Sequence, residues 1–196
     1  MGVVRRMYPN RKEIIETVLV GACTSGGVEV VRELRQDYCL TANDIRVNKN
    51  WALRMACFWG HIETMRELRL GYGLTADDAR TCDVEALRYA CWRGYVEVVR
   101  ELREGFGLTA DDARAVGNCP LRVSCAIGQI EILRELRLGY GLTADDARAM
   151  DNEALLAACA KGYVEVVREL HEGYGLTADD ARAIGENTLA DSWLLH

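Results

Sequence analysis

The segment GLTADDAR, Gly73–Arg80, returns letter for letter at Gly107–Arg114, Gly141–Arg148 and Gly175–Arg182, each copy 34 positions after the last. A divergent form, CLTANDIR, fills Cys39–Arg46 one period earlier. A period of this length over nearly the whole chain points to stacked helical units, because each unit then buries its apolar face against its neighbours and needs no central core. The letters themselves have local roles. In the last copy, Thr177 with Asp180 three residues on forms a capping box, and Asp179 and Asp180 lie where a helix dipole favours negative charge. The segment therefore predicts the start of a short helix. Upstream, Gly173 and Gly175 suit a helix end and a turn with positive φ, and Tyr174 between them is placed to pack back over the preceding helix.

Working outward, the unit Asn152–Gly185 reads as two longer helices before that short one. Asn152 is a candidate N-cap, a role Asn50 and Asn118 repeat, and Ala154, Leu155, Ala158 and Cys159 form an apolar stripe at helical spacing. Gly162 ends this helix of about two turns, as Gly26, Gly60, Gly94 and Gly128 end its equivalents. The second helix, YVEVVRELHEG, is expected to bury Val164, Val167 and Leu170 and to turn Glu165, Arg168, Glu169 and Glu172 mostly outward. Glu165 and Arg168, three apart, can pair, and the same pairing recurs at Glu29/Arg32, Glu63/Arg66, Glu97/Arg100 and Glu131/Arg134. This is the pattern of a solvated, salt-bridged face, worth a few tenths of a kcal/mol per pair at about the usual magnitude.

Composition narrows the function. The chain has 196 residues with 24 basic against 30 acidic side chains, a net charge of −6, so it lacks the positive excess that phosphate neutralisation demands. No apolar run has the form of a signal peptide or a membrane span, and Met1-Gly2 is not followed by the Ser or Thr that myristoylation wants at position 6, where Arg6 stands. A soluble protein of the cytoplasm, in a reducing compartment, is expected. Five of the eight cysteines, Cys23, Cys57, Cys91, Cys125 and Cys159, fall in register with the repeat beside a small residue, which reads as apolar filler between close helices. There is no CxxC pair and only three histidines, so no metal set and no cofactor is expected. The adjacent aspartates of GLTADDAR have a complete explanation as helix starts; copied four times without His or Cys nearby, they do not read as catalytic, and no enzyme is expected.

The pattern AxACxxGYVEVVRELHEGYG, with its counterparts GGVEVVREL (Gly26–Leu34), GHIETMREL (Gly60–Leu68), GYVEVVREL (Gly94–Leu102) and GQIEILREL (Gly128–Leu136), resembles the ankyrin repeat over roughly residues 17–185. Of the usual T-P-L-H start of that family only the leucine remains (Leu53, Leu87, Leu121, Leu155), and the hairpin finger is replaced by GYGLTADDAR, so the unit looks like a divergent ankyrin-like one whose hairpin has become a short helix. The resemblance implies an all-α solenoid of five 34-residue repeats, 16–49, 50–83, 84–117, 118–151 and 152–185. Each holds two helices plus a short third, with a cap starting over 10–16 and a closing helix over 186–196. Asn10 and Glu13 make a capping box for the first cap; Leu189 and Trp193 stand in the closing one for the unit's leucine and cysteine. The DNA-reading repeats of transcription-activator-like effectors share the 34-residue period, the LT start and the terminal glycine. A nucleic-acid-binding repeat protein is thus the alternative, disfavoured by the charge.

Copies within one chain separate scaffold from variable positions, and the variation gathers on the first helix and the loop after it. These positions hold Trp51, Met55, Phe58, Trp59 and His61 in one copy and Tyr89, Trp92, Arg93 and Tyr95 in the next, followed by Ile127, then by Lys161 and Tyr163. Spacings of three and four gather the aromatics on one side. Aromatics and arginine dominate binding hot spots, and the ankyrin resemblance implies that these helices line a concave face. The twelve residues are the expected contact surface for a protein partner, with no membrane contact.

Overall fold

The computed structural model describes residues 13–185; the start expected at Asn10 and the closing helix expected over 186–196 lie outside them. Among the described residues the regular elements are all helices, with no strand, so the linker expected to have lost its hairpin is indeed helical. The chain divides into two compact units, Met1–Leu108 and Thr109–His196.

In the first unit, a π-wound stretch Ile14–Leu19 leads into helix Val20–Ser25, followed by Val28–Tyr38 and the one-turn helix Ala42–Ile45. The order then repeats as Val47–Trp59, Ile62–Arg66 with a π-wound end Glu67–Gly71, and Ala76–Ala79, and once more as Thr81–Arg93 and Val96–Glu104. The glycine stops behave as their sequence demands. Gly60 takes φ +78°, and the His61 N–H behind it reaches back to the Ala56 carbonyl at 2.9 Å, closing the helix end. The core is the apolar stripe of each helix: Leu53, Leu87, Leu34, Leu68 and Leu102 are wholly buried, as are Cys23, Cys57 and Cys91 in their small-residue slots. Each such leucine contributes roughly 2 kcal/mol by leaving water. Burial alone pushes the Cys23 thiol up to about 12, which keeps it protonated and inert.

The second unit runs Ala110–Ala126, Ile130–Leu138, Ala144–Lys161, Val164–Arg168 with its π-wound end Glu169–Gly173, and Ala178–Ala183. Its core is built alike, from Leu121, Leu155, Leu136, Leu170, Cys125 and Ala158, although Cys159 itself is only half-buried. On the last second helix the buried set is Val166, Val167, Glu169 and Leu170, and Val164, expected inside, is 64% exposed. Glu169, expected outside, has a reason to face inward.

That reason recurs. Glu169 accepts from Arg134 Nε (3.1 Å) and Arg137 Nε (2.8 Å) of the preceding copy. In the first unit Glu67 accepts from Arg32 Nε (3.2 Å) and Arg35 Nε (2.9 Å), and Glu101 from Arg66 Nε (3.0 Å) and Arg69 Nε (3.0 Å). A buried carboxylate is tolerable only when so compensated. The glutamates expected to be solvated are thus clasps between copies, while the Glu–Arg pairs three apart form outside them as the sequence suggests.

Every Thr–Asp capping box forms, from Thr41/Asp44 to Thr177/Asp180. The capping aspartate does more. Asp78 Oδ2 accepts the Thr75 N–H at 2.8 Å, while Arg46 of the preceding copy donates Nε to Oδ1 (2.7 Å) and Nη2 to Oδ2 (3.0 Å). Arg114 holds Asp146, and Arg148 holds Asp180, in the same two-pronged way. The last letter of one GLTADDAR grips an aspartate of the next.

The spans Val47–Trp59, Thr81–Arg93, Ala110–Ala126 and Ala144–Lys161 are not continuous right-handed helices: each contains, ahead of the first helix proper, a turn of left-handed helix. Asn48, Lys49 and Asn50 have φ of 51°, 57° and 56°; Cys82–Val84, Val116–Asn118 and Met150–Asn152 do the same. For L-residues this conformation costs about 1 kcal/mol or more each, most for β-branched Val84 and Val116. The asparagines expected as N-caps sit in this turn, buried, and do not cap. Asn50 Nδ2 instead donates to the Asp78 carbonyl (3.1 Å) and Oδ1 (3.2 Å), Asn118 Nδ2 donates to the Asp146 carbonyl (3.0 Å), and their Oδ1 atoms have no hydrogen-bond partner. At positive φ the side chain is swung away from its own helix start and across to the next copy.

Candidate functional site

In the first unit, helix Val47–Trp59 buries Ala52, Leu53, Ala56 and Cys57, which leaves Trp51, Met55, Phe58 and Trp59 on its uncovered side. Helix Thr81–Arg93 packs beside it and presents Glu85, Arg88, Tyr89, Trp92 and Arg93 in turn. The structure brings the aromatics together. The Phe58 ring meets Tyr89 edge-on at 5.1 Å, Trp59 edge-on at 5.1 Å and Trp92 tilted at 5.7 Å between centroids. Such contacts add about 0.5–1.5 kcal/mol each beyond burial, so Phe58, half-buried, is the hub. Trp59 and Trp92 remain 42% and 49% exposed.

Arg93 enters this cluster as a cation among rings. Its guanidinium carbon lies 5.1 Å from the Phe58 centroid, 5.4 Å from Trp59, 5.9 Å from Trp92 and 5.8 Å from Tyr95, and Nη2 donates weakly to Tyr95 Oη at 3.4 Å. Each ring face attracts the charge electrostatically. The result is an arginine that is exposed yet held in position.

The remaining expected contact residues are placed differently. Trp51 stands apart from the cluster, its ring under Arg54 at 4.8 Å; Met55 is half-buried between the two groups in sequence. His61 and Tyr95 belong to the joints between copies. The His61 ring lies over Gly26, with Nε2 2.9 Å from the Thr24 carbonyl, and Tyr95 lies over Gly60, where a Cβ would come within 3.0 Å of its ring. In the second unit Tyr163 covers Gly128 likewise, Ile127 is half-buried at a helix end, and Lys161 is exposed. Three of the twelve residues thus serve stacking in addition to any contact, and the surface that stands out is Phe58, Trp59, Tyr89, Trp92, Arg93 and Tyr95.

Two further arginines line the same helices and were not expected from their spacing. Arg54, 8% exposed, pairs through Nη1 with Glu85 of the next helix and donates Nη2 to the Asn48 carbonyl at 3.2 Å, satisfying the left-handed turn. Arg122 does the same in the second unit, pairing with Glu153 and donating Nε to the Gly117 carbonyl at 2.8 Å. Arg88, at the equivalent position, has its Nε buried without a partner. The signal was the period itself: an arginine at 54, 88 and 122, each 34 apart.

The two adjacent aspartates face different partners. Asp77 points outward to Arg80 Nη1 at 2.9 Å, whereas Asp78 is occupied by Thr75, Arg46 and Asn50. Among the described residues no group of His, Cys, Asp and Glu converges as a metal set, and no helix is long and apolar enough to cross a membrane. No protein-family model matches the chain, and no curated protein matches it.

Proposed function

We propose that this chain is a non-enzymatic interaction scaffold, a solenoid of five ankyrin-like 34-residue repeats in which the first helices line the face that receives a protein partner. The observation that carries the reading is the pair of half-exposed tryptophans, Trp59 and Trp92, held around Arg93 by an aromatic hub. Large aromatics preorganised at a surface give up little conformational entropy on binding, and with arginine they are the residues that dominate interfaces. The invariant parts of the repeat are occupied by caps and clasps, so variable side chains are what the scaffold has left to offer.

The test is to replace Trp59, Trp92 and Arg93 together by alanine and to measure binding to the partner recovered from the source cell. Binding is expected to weaken by at least about tenfold, the scale of two hot-spot residues, with the melting temperature little changed. Unchanged affinity in a folded variant sinks the assignment of this face. Steep salt-dependent binding to DNA or RNA, lost in the same variant, would support a nucleic-acid reader instead.

A further inference from the structure

We propose that the face around Arg93 recognises an acidic peptide segment, with a partner carboxylate on the Arg93 guanidinium edge and an adjoining apolar or aromatic side chain against Trp59 and Trp92. This rests on the interaction reading above and names the chemistry of the partner. The ground is a charge imbalance. Of the eighteen arginines among the described residues, sixteen pair with a carboxylate, mostly of the next copy or three residues away. Arg88 and Arg93 pair with none, and they lie five residues apart on one helix beside the aromatic cluster. Arg54 and Arg122 each find a glutamate 31 positions on, Glu85 and Glu153, whereas the position 31 after Arg88 is Cys119.

The geometry around Arg93 leaves it able to bind. A guanidinium carries five N–H donors, and its single hydrogen bond is the long one to Tyr95 Oη. Four ring centroids lie within 5.9 Å of its carbon, yet only Tyr95 takes a hydrogen bond from it, so its other donors remain for a planar, two-oxygen acceptor. A basic or methylated ligand is disfavoured because the cation's place among the rings is already filled. A nucleic-acid strand is disfavoured because two unpaired guanidinia in a chain of net charge −6 do not make a track for successive phosphates.

A random dodecapeptide display library is panned on the full chain at about 0.15 M salt, and enriched peptides are synthesised with and without Gln and Asn in place of their Glu and Asp. The expected winners carry an acidic residue beside an aromatic or aliphatic one. Their affinity falls by about tenfold on amidation and by a similar factor in Arg93→Gln, the loss typical of one charge-assisted pair, and Arg93→Lys recovers only part because the fork is gone. Arg88→Gln weakens them as well. Melting temperatures of the variants are measured alongside. Winners that are neutral or basic, or that bind equally well after amidation, overturn the acidic-ligand proposal; if they still need Trp59 and Trp92 the interaction face stands, and if they do not, both readings fall. Arg93-dependent binding of the oligonucleotide dT12 stronger than that of any peptide overturns the proposal in favour of a phosphate ligand, and no enrichment at all overturns it together with the face.

Discussion

Replacing Gly71 by alanine should destabilise the protein, and doing so after removing Glu67 should stabilise it. Gly71 is not in the left-handed region, so nothing in its own backbone forbids a side chain. In isolation the change restricts the unfolded chain and favours helix by about 0.5–1 kcal/mol. The obstacle is the clasp. A Cβ on Gly71 would overlap Glu67 Oε1 and come within 2.8 Å of Arg35 Nε. That oxygen is the one Arg35 holds, through Nε at 2.9 Å and Nη2 at 2.8 Å. Two charge-assisted contacts to a carboxylate only 10% exposed, discounted because Arg35 is itself one-third exposed, come to about 1.5 kcal/mol. The net effect in the natural background is a loss of about 0.5–1 kcal/mol, and in the Glu67→Ala background a gain of similar size, a coupling of about 1.5 kcal/mol. Urea titrations followed by circular dichroism on the four members of the cycle measure it. A Gly71→Ala variant more stable than the natural chain, or a cycle that closes additively, refutes the claim that the first glycine of GYG makes room for the clasp.

Three other outcomes are expected. Tyr72 and Tyr174 donate their hydroxyls to the Val31 and Leu133 carbonyls at 2.8 and 2.9 Å, and Phe106, in the same register, lacks that hydroxyl. Phe106→Tyr should raise stability by about 1 kcal/mol, and a lowered melting temperature would contradict the shared geometry. Asn50→Ala should cost about 2 kcal/mol, since it removes two buried hydrogen bonds and places a poorer residue at positive φ, whereas Asn50→Gly should cost less because glycine adopts that conformation freely; equal losses would show that the left-handed turn is not under strain. Acid should weaken the fold. Burial pushes the Asp78 and Asp146 carboxyls up, but Arg46 and Arg114 with the capping N–H groups outweigh it, and Arg148 leads the same effect at Asp180, so all three sit below the usual carboxylate range. A depressed folded-state pKa gives stability that is present above the unfolded value near 4 and lost as pH falls through the folded one. The urea midpoint should therefore fall as the pH is taken below about 4, less so in Arg148→Gln, and a midpoint that stays flat there tells against the clasps.

The helical class, the glycine stops and the capping boxes were legible because each is written within a few consecutive residues. Thr177 and Asp180 need only each other. What the sequence hid is held by partners 32 or 35 positions apart, such as Arg46 with Asp78 or Arg32 with Glu67. Read locally, Glu169 belongs with the solvated charges three and four residues away; only stacking one copy on another puts two guanidinia over it. The asparagines misled for a related reason. Asn before a helix is ordinarily a cap, and nothing in the letters of Asn48-Lys49-Asn50, Cys82-Asp83-Val84 or Met150-Asp151-Asn152 announces a common left-handed turn. At the surface, the spacing of Phe58, Trp59, Tyr89 and Trp92 was enough to gather them. It did not distinguish His61 and Tyr95, seated on the glycines of the copy before, nor did it find that Arg88 lacks a partner, since that shows only once Arg54 and Arg122 are seen to reach glutamates 31 positions on, where Arg88 has Cys119.

The shared aspartate has a consequence for how the chain comes apart. One carboxylate, that of Asp78, closes the start of its own short helix, receives the arginine of the copy before, and anchors through Asn50 the left-handed turn that leads into that copy's neighbour. None of the three can be released alone. A single protonation or a local opening at that point loosens a cap, a clasp and a joint in one event, so neighbouring copies should exchange their amide hydrogens as coupled blocks and not helix by helix. Within each unit, a recurring two-oxygen junction is thus where cooperativity between neighbouring copies is expected to be carried.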